Sequence, residues 1–253
     1  MIAPVHYNAP QRNPQPATHE APVDQPSQKI GIKRSFDSQG DDLIRLVPSS
    51  ADRVLVCGRT AVSLARQLKH RGAKHVVALT QDHESLENTG PDRVINLAPD
   101  ADTLPLEAGS FQCILCHRSL ELVRAPERAV AHFRRLLAPG GVLLLCLANI
   151  QYYKAVLMLA RGRWDYEPEG LLARESIKFF TAFEAVRLIE QAGLRMVQAQ
   201  VWSMDDPALF PRDEKGLLQF DDLSVGPLSD GEYHQYLTQQ FVAIASQGAD
   251  GAS

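Results

Sequence analysis

The chain has 253 residues, 45% of them hydrophobic and 22% charged, with a formal net charge of −4. That length suits one sizeable core and favours one large domain over two small ones, while the mild acidity offers no electrostatic footprint for nucleic acid. No apolar run approaches the roughly 20 residues of a membrane span, no basic-then-apolar leader opens the chain, and four cysteines are too few for a disulfide framework at this length. A reducing cytoplasm is the expected setting.

Residues 1–38 hold Pro4, Pro10, Pro14, Pro16, Pro22 and Pro26 among Gln, Asn, Thr and His. Such a segment buries too little apolar surface to offset its ordering entropy and is expected to be a disordered tail. Residues 248–253 are expected to be a second one. Between them, 39–247 should form one domain. A short helix with acidic residues at its start runs over 41–47, and Pro48 stops it. The apolar run 53–57 is the first buried strand, ending at Gly58. Val62, Leu64, Ala65 and Leu68 then mark a helix over 61–71, closed by Gly72. Strands follow at 75–79, 92–97 and 111–116. Helical spacing resumes at Pro126 and ends near Leu137. Ala138-Pro139-Gly140-Gly141 reads as a hard stop before the strand 142–147. A helix over 181–191, a strand over 194–201 and a last strand at 241–245 complete the series. Strand, crossover helix and strand in repetition predict an α/β fold, a Rossmann-like doubly wound, mostly parallel sheet of seven strands. The last strand, arriving after a long irregular stretch, is expected antiparallel at an edge.

Cys113-Ile114-Leu115-Cys116-His117 spells the attachment sequence of a c-type haem. On a buried strand, however, alternation sends Cys113 and Cys116 to opposite faces, and the haem reading fails.

The unit from Phe111 through Pro139-Gly140-Gly141 to Leu147, followed by Phe179-Phe180-Thr181, resembles the class I S-adenosylmethionine (SAM)-dependent methyltransferase family. Within it, Asn149 to Tyr153, Gly162-Arg163-Trp164-Asp165-Tyr166, Gly170 to Arg174 and Ile177 to Thr181 are similar to bacterial methyltransferases associated with polysaccharide glycosyltransferases. The resemblance spans about residues 40–200 and the last strand, and is specific from Phe111 onward. Ala173 and Glu175-Ser176 depart from the Asp and Thr-His of that run. Trp164 and Tyr166 can pack on a sugar or anchor an insert on the sheet.

The resemblance implies SAM at the carboxyl ends of the strands, where doubly wound sheets bind ligands. It assigns the first turn, Gly58, Arg59 and Thr60, to the cofactor; Thr60 and Val62 stand where the family has its second and third glycines. The alternative is an ordinary strand-to-helix turn with Thr60 as N-cap. Thr80 and Gln81 fall where the family grips the ribose with an acidic residue, and Asp82 lies two residues beyond. Asp100 and Ala101, in Asp-Ala-Asp-Thr-Leu-Pro, match the adenine-facing segment, or form a solvated loop. After the fourth strand, Cys116 borders the cofactor. His117 and Glu121 take the catalytic roles, His117 as a base with a pKa near 7, or more plainly as a cap for the next helix. Leu122 replaces the family's histidine. The expected function is SAM-dependent methylation of a glycan, glycolipid or small metabolite, with a protein partner as a further expectation. The alternative is an inactive methyltransferase-like scaffold or partner subunit. A dinucleotide or nucleotide-sugar binder lacks its Gly-x-Gly-x-x-Gly loop.

Overall fold

The structure, a computed structural model, describes residues 39–81 and 90–247. The two predicted tails and Asp82 lie outside the described residues. The elements run α1 (Gln39–Leu46), β1 (Arg53–Cys57), α2 (Ala61–His70), β2 (His75–Thr80), β3 (Arg93–Asn96), β4 (Phe111–His117), α3 (Pro126–Leu136), β5 (Leu137–Ala148), α4 (Tyr153–Ala160), α5 (Ala182–Gln191), β6 (Leu194–Met204), β7 (Leu218–Phe220), β8 (Leu223–Val225), α6 (Asp230–Leu237) and β9 (Thr238–Gln247). Seven strands form one sheet in the order β3-β2-β1-β4-β5-β9-β6. β1 to β5 are parallel, so their carboxyl ends share one edge.

Alternation along the strands divides the core in two. Val54, Val56, Val76, Cys113, Leu115 and Leu144 face α1 and α2, where Leu43, Ala61, Val62, Leu64 and Leu68 meet them. Leu55, Cys57, Ile114, Cys116 and Leu145 face the other way, onto Ala129, Val130 and Phe133 of α3 and Ala185 and Ile189 of α5. Cys113 and Cys116 thus point to opposite faces, as the strand reading requires, and all four cysteines are buried free thiols. Sequence makes α3 a helix in a direct way. Pro126 sits in its first turn, Ala129, Val130, Phe133 and Leu136 form one buried stripe, and Glu127 and Arg134-Arg135 complement the dipole.

Two expectations need correction. The Pro-Gly-Gly segment lies inside β5, which begins at Leu137 beside Phe111; a register shift between Phe111 and Cys113 absorbs the irregularity. Gly141 is required there, since a Cβ would stand 2.9 Å from the carbonyls of Ala138 and Phe111. The last strand is antiparallel, but it inserts between β5 and β6. Phe241 and Ala243 fill one core and Val242 the other, and a strand buried on both faces belongs inside a sheet. The edge falls to β6, where Val197 is exposed and Met196 packs inward.

The stretch between β6 and β9 is more ordered than its sequence suggested. The β7–β8 hairpin, α6 and α4 share a third, aromatic core of Tyr152, Tyr153, Phe220 and Tyr233. Tyr153 stacks on Phe220 with ring centroids 4.5 Å apart. Ser229 and Glu232 start α6 with a reciprocal capping box. Arg161, just past α4, pairs with Asp221 and Asp222 at the hairpin turn.

Candidate cofactor and acceptor site

Two turns at the carboxyl edge of the sheet touch directly. Gly58 ends β1 with φ +125°, and its N–H donates to the Leu79 carbonyl at 3.1 Å. The chain passes so close to β4 that a Cβ on Gly58 would stand 2.2 Å from the His117 carbonyl oxygen. Thr60 occupies the N-cap position of α2, yet its side chain caps nothing. Its Oγ1 lies 2.8 Å from His117 Nδ1 instead. Thr60 is thus the N-cap of α2 by position but not through its hydroxyl, and His117 caps no helix, since Nδ1 meets Thr60 and Nε2 has no partner among the described residues. Val62, at the position of the third glycine, is 93% enclosed and packs with Leu64 and Leu68 in the α1–α2 core, away from the rim.

The expectation of a histidine titrating near neutrality is corrected. Burial first, and the Arg118 charge second, hold His117 down to about 4 from its ordinary 6.5. Its Nε2 is buried and has no partner among the described residues. A neutral ring that donates from Nδ1 to Thr60 leaves Nε2 as an acceptor. The consequence for stability has a definite sign. The folded state binds fewer protons than the unfolded state between pH 6.5 and about 4. The contribution is therefore fully present above pH 6.5 and lost as pH falls through about 4. In urea titrations across this window, the wild type should lose on the order of 1–3 kcal/mol more than His117→Gln. Parallel curves for the two proteins would contradict this.

Glu121 lies in the short 3-10 turn Leu120–Leu122 and is buried. Its Oε1 accepts from the Ala148 N–H at 3.0 Å and lies 3.7 Å from Arg118 Nε. Its backbone carbonyl accepts from the amides of Ile177 and Lys178. Oε2 is buried with no partner among the described residues. Burial raises its pKa, only partly offset by Arg118 and the Ala148 amide. Two unsatisfied polar atoms, His117 Nε2 and Glu121 Oε2, thus flank the end of β4.

The remaining assigned residues separate. Thr80 is 1% exposed, Gln81 is exposed, and the Cys116 side chain lies wholly in the core beneath. Asp100 follows β3 at the same edge, but its Oδ2 accepts from the Arg124 and Ala125 amides at 3.0 Å, just before α3. Ala101 packs on the core below it. Arg59 reaches across to Glu175, joining the first turn to the insert after β5. Trp164 packs edge-on against Phe179 at 5.4 Å, which makes it an anchor of that insert; Tyr166 is exposed. Sequence reasoning missed Arg118, whose φ of +47° and bond to the Gly170 carbonyl tie β4 to the insert. No motif announces an arginine in that conformation. The pairing of Arg59 with Glu175 was half-signalled by Glu175 departing from the resembled run.

Comparison with known proteins follows this geometry. Residues 55–145, from β1 into β5, match a family model described as a methyltransferase domain. A SAM-dependent methyltransferase from Archaeoglobus fulgidus aligns with a TM-score of 0.57 at 11% identity, over 81% of this chain and 90% of that one. One from Thermotoga maritima aligns at 0.52 and 17% identity, over 82% and 86%. A Haloferax volcanii complex between a methyltransferase activator and a methyltransferase aligns at 0.53 and 14% identity, over 84% and 89%. An uncharacterized 37.1 kDa protein of transposon Tn4556 from Streptomyces fradiae is 32% identical over 120 residues, 44% of this chain; the match spans about a third (34%) of that relative's length. The fold is that of the Rossmann-like methyltransferases, and the family match with it supports a class I methyltransferase.

Proposed function

We propose that the chain is a SAM-dependent methyltransferase whose acceptor is a hydroxyl of a glycan, glycolipid or related small metabolite. The observation that carries this reading is the His117–Thr60 pair, set where the β1 and β4 turns meet, with His117 Nε2 held neutral and unspent. The rim offers SAM a partial fit. The Gly58 turn brings backbone close; the Ala61 N–H donates to the Gly58 carbonyl, and the Val62 and Ser63 amides are left without a side-chain cap, a favourable place for a carboxylate. At the ribose end, Thr80 is enclosed where an acidic acceptor is expected. When bound, SAM supplies an activated methyl group.

The chain's own residues do the rest. His117 Nε2 accepts a hydrogen bond from the acceptor hydroxyl and fixes its direction of approach, which is the larger part of the advantage in a direct displacement. Its proton affinity is low, so it orients the hydroxyl first and takes the proton only once the O–CH3 bond is forming and the oxygen has become strongly acidic. Glu121 Oε2, in the turn that follows β4, is a second buried acceptor without a partner among the described residues. The Arg59–Glu175 pair ties the first turn to the insert at this edge of the sheet.

The second reading, an inactive scaffold or partner subunit, is favoured by enclosed Thr80 and by Val62 in place of a loop glycine. A protein partner fits both readings, as does a cytoplasmic location; among the described residues no helix is long and apolar enough to cross a membrane. The test is transfer of labelled methyl from SAM to a panel of glycans, glycolipids and hydroxylated metabolites. Wild type should label at least one class. His117→Ala should cut that labelling by about a hundredfold, within the range for positioned acid–base groups, with SAM affinity nearly unchanged. Transfer that survives His117→Ala contradicts the assignment of His117, and SAM bound without transfer to any class favours the scaffold.

A further inference from the structure

A further buried acceptor stands unspent at the carboxyl edge of the sheet. Gln240, near the start of β9, is 2% exposed, and its Oε1 has no partner among the described residues. Leaving a buried amide oxygen unpaired is unfavourable, so a fold that keeps one has a use for it. The same face of β9 is otherwise apolar here: Val242 and Ile244, two and four residues on, pack in the α1–α2 core. Gln240 interrupts that run at the rim.

Register places the glutamine relative to His117. His117 of β4 is opposite Cys146 of β5, and Cys146 is opposite Val242 of β9. Two residues further toward the carboxyl end of β5, Ala148 is opposite Gln240. Leu115, Cys146 and Val242 all face the α1–α2 core, so alternation turns His117, Ala148 and Gln240 to that same face. Two strand spacings across and two residues along set the His117 and Gln240 Cα atoms about 12 Å apart. Between them stands an alanine, whose methyl fills little of the gap. Trp202, the extra residue of a bulge in β6 opposite Gln240 and Phe241, packs on this face as well. Two spaced acceptors above an apolar floor match a ligand with apolar ring faces and several hydroxyl donors.

Charge narrows the ligand. His117 is held neutral, and a glutamine amide carries no charge. Glu121, whose Oε1 takes the Ala148 N–H, already faces Arg118. A buried ammonium needs an unpaired carboxylate at close range, whereas hydroxyls satisfy neutral acceptors. We propose that Gln240 is a second anchor for the methyl acceptor: its Oε1 accepts from a hydroxyl other than the one His117 orients, and the acceptor is a polyol ring such as a pyranose. The anchor rests on the methyltransferase reading and narrows its substrate class. A lone alcohol or phenol satisfies one of the two acceptors and leaves the other unpaired.

The test is saturation-transfer NMR of the full chain, with and without S-adenosylhomocysteine, against methyl glycosides of common hexopyranoses, their monodeoxy analogues and cyclohexanol. We expect at least one glycoside to bind about tenfold tighter than cyclohexanol, since one well-made hydrogen bond is worth up to about that factor. Removing one particular hydroxyl of that glycoside should cost about tenfold in the wild type. Gln240→Met keeps the length of the side chain and removes the acceptor. It should cost about the same factor and be indifferent to that deoxygenation, the non-additivity that marks a direct contact. Its melting temperature should match or exceed that of the wild type, because it removes an unpaired buried oxygen. No glycoside binding, equal binding of cyclohexanol, or additive effects of the two losses overturns the proposal. So does a Gln240→Met that melts well below the wild type, since the oxygen then has a partner already in the free chain. The two readings fail separately. Binding of S-adenosylhomocysteine with an additive cycle removes the anchor and leaves the methyltransferase. An intact glycoside cycle without S-adenosylhomocysteine binding leaves Gln240 as a sugar anchor and removes the methyl transfer.

Discussion

Gly58→Ala should destabilise the fold by at least about 3 kcal/mol. Two costs combine. At φ +125° a side chain is strained whatever the space around it, and the new Cβ would lie 2.2 Å from the His117 carbonyl oxygen. That oxygen belongs to the backbone of β4, which is held on both sides by β1 and β5. It cannot retreat without disturbing the centre of the sheet. Gly72→Ala is the control, since Gly72 also has a positive φ, +99°, but nothing stands within 4 Å of its Cβ position. Its cost should be only the conformational one, about 1–2 kcal/mol. Urea unfolding of both variants decides the matter. Equal destabilisation would show that β1 and β4 do not approach as closely as described.

Glu121→Ala should cost about 3–5 kcal/mol, the range for removing one member of a buried charge pair. It leaves the Ala148 N–H without its acceptor and deprives Arg118 of its counter-charge. Glu121→Gln keeps an oxygen for the Ala148 amide and should stay within about 1–2 kcal/mol of wild type. The pH dependence has the opposite sign to that of His117. Burial raises the folded-state pKa of Glu121. Its contribution is full below the unfolded-state value near 4.5 and is lost as pH rises through the folded-state value. Glu121→Gln should therefore flatten the decline in stability between pH 4.5 and the raised folded-state value. An unchanged slope would mean that the carboxyl is not desolvated. Because Glu121→Gln stays folded, its methyl-transfer rate separates an acceptor role for Oε2 from the structural latch.

The parallel half of the fold was legible because the signals are local. Arg53 to Cys57 and the Pro126–Leu136 stripe specify their elements by an unbroken apolar run and by helical period, and the structure ends both within a residue of the expected places. The position of β9 was not legible. Phe241 to Ala245 declares a buried strand, but a choice between edge and interior depends on β6, and that pairing is non-local. The third core was missed for a related reason. Tyr153 and Phe220 are 67 residues apart in sequence and meet only when the hairpin folds onto α4. At the site, sequence placed Gly58, Thr60 and His117 at one edge, which is where they converge. It could not foresee that His117 is desolvated. Val62 was legible as a core residue through the Val62, Leu64, Ala65 and Leu68 spacing, and it packs there and not on the rim.

The central claim, that this rim takes SAM as a methyl donor, is tested most directly by calorimetric titration of the full chain with SAM and with S-adenosylhomocysteine. The account predicts saturable binding of both with a dissociation constant between micromolar and millimolar. Without a charged partner at Thr80, the complex forgoes roughly 1.5–3 kcal/mol of charge-assisted hydrogen bonding. His117→Ala should leave that affinity nearly unchanged, because the proposed role of His117 is toward the acceptor. No binding of either ligand at millimolar concentration, by a protein shown to be folded, would contradict the claim and leave the scaffold reading in its place.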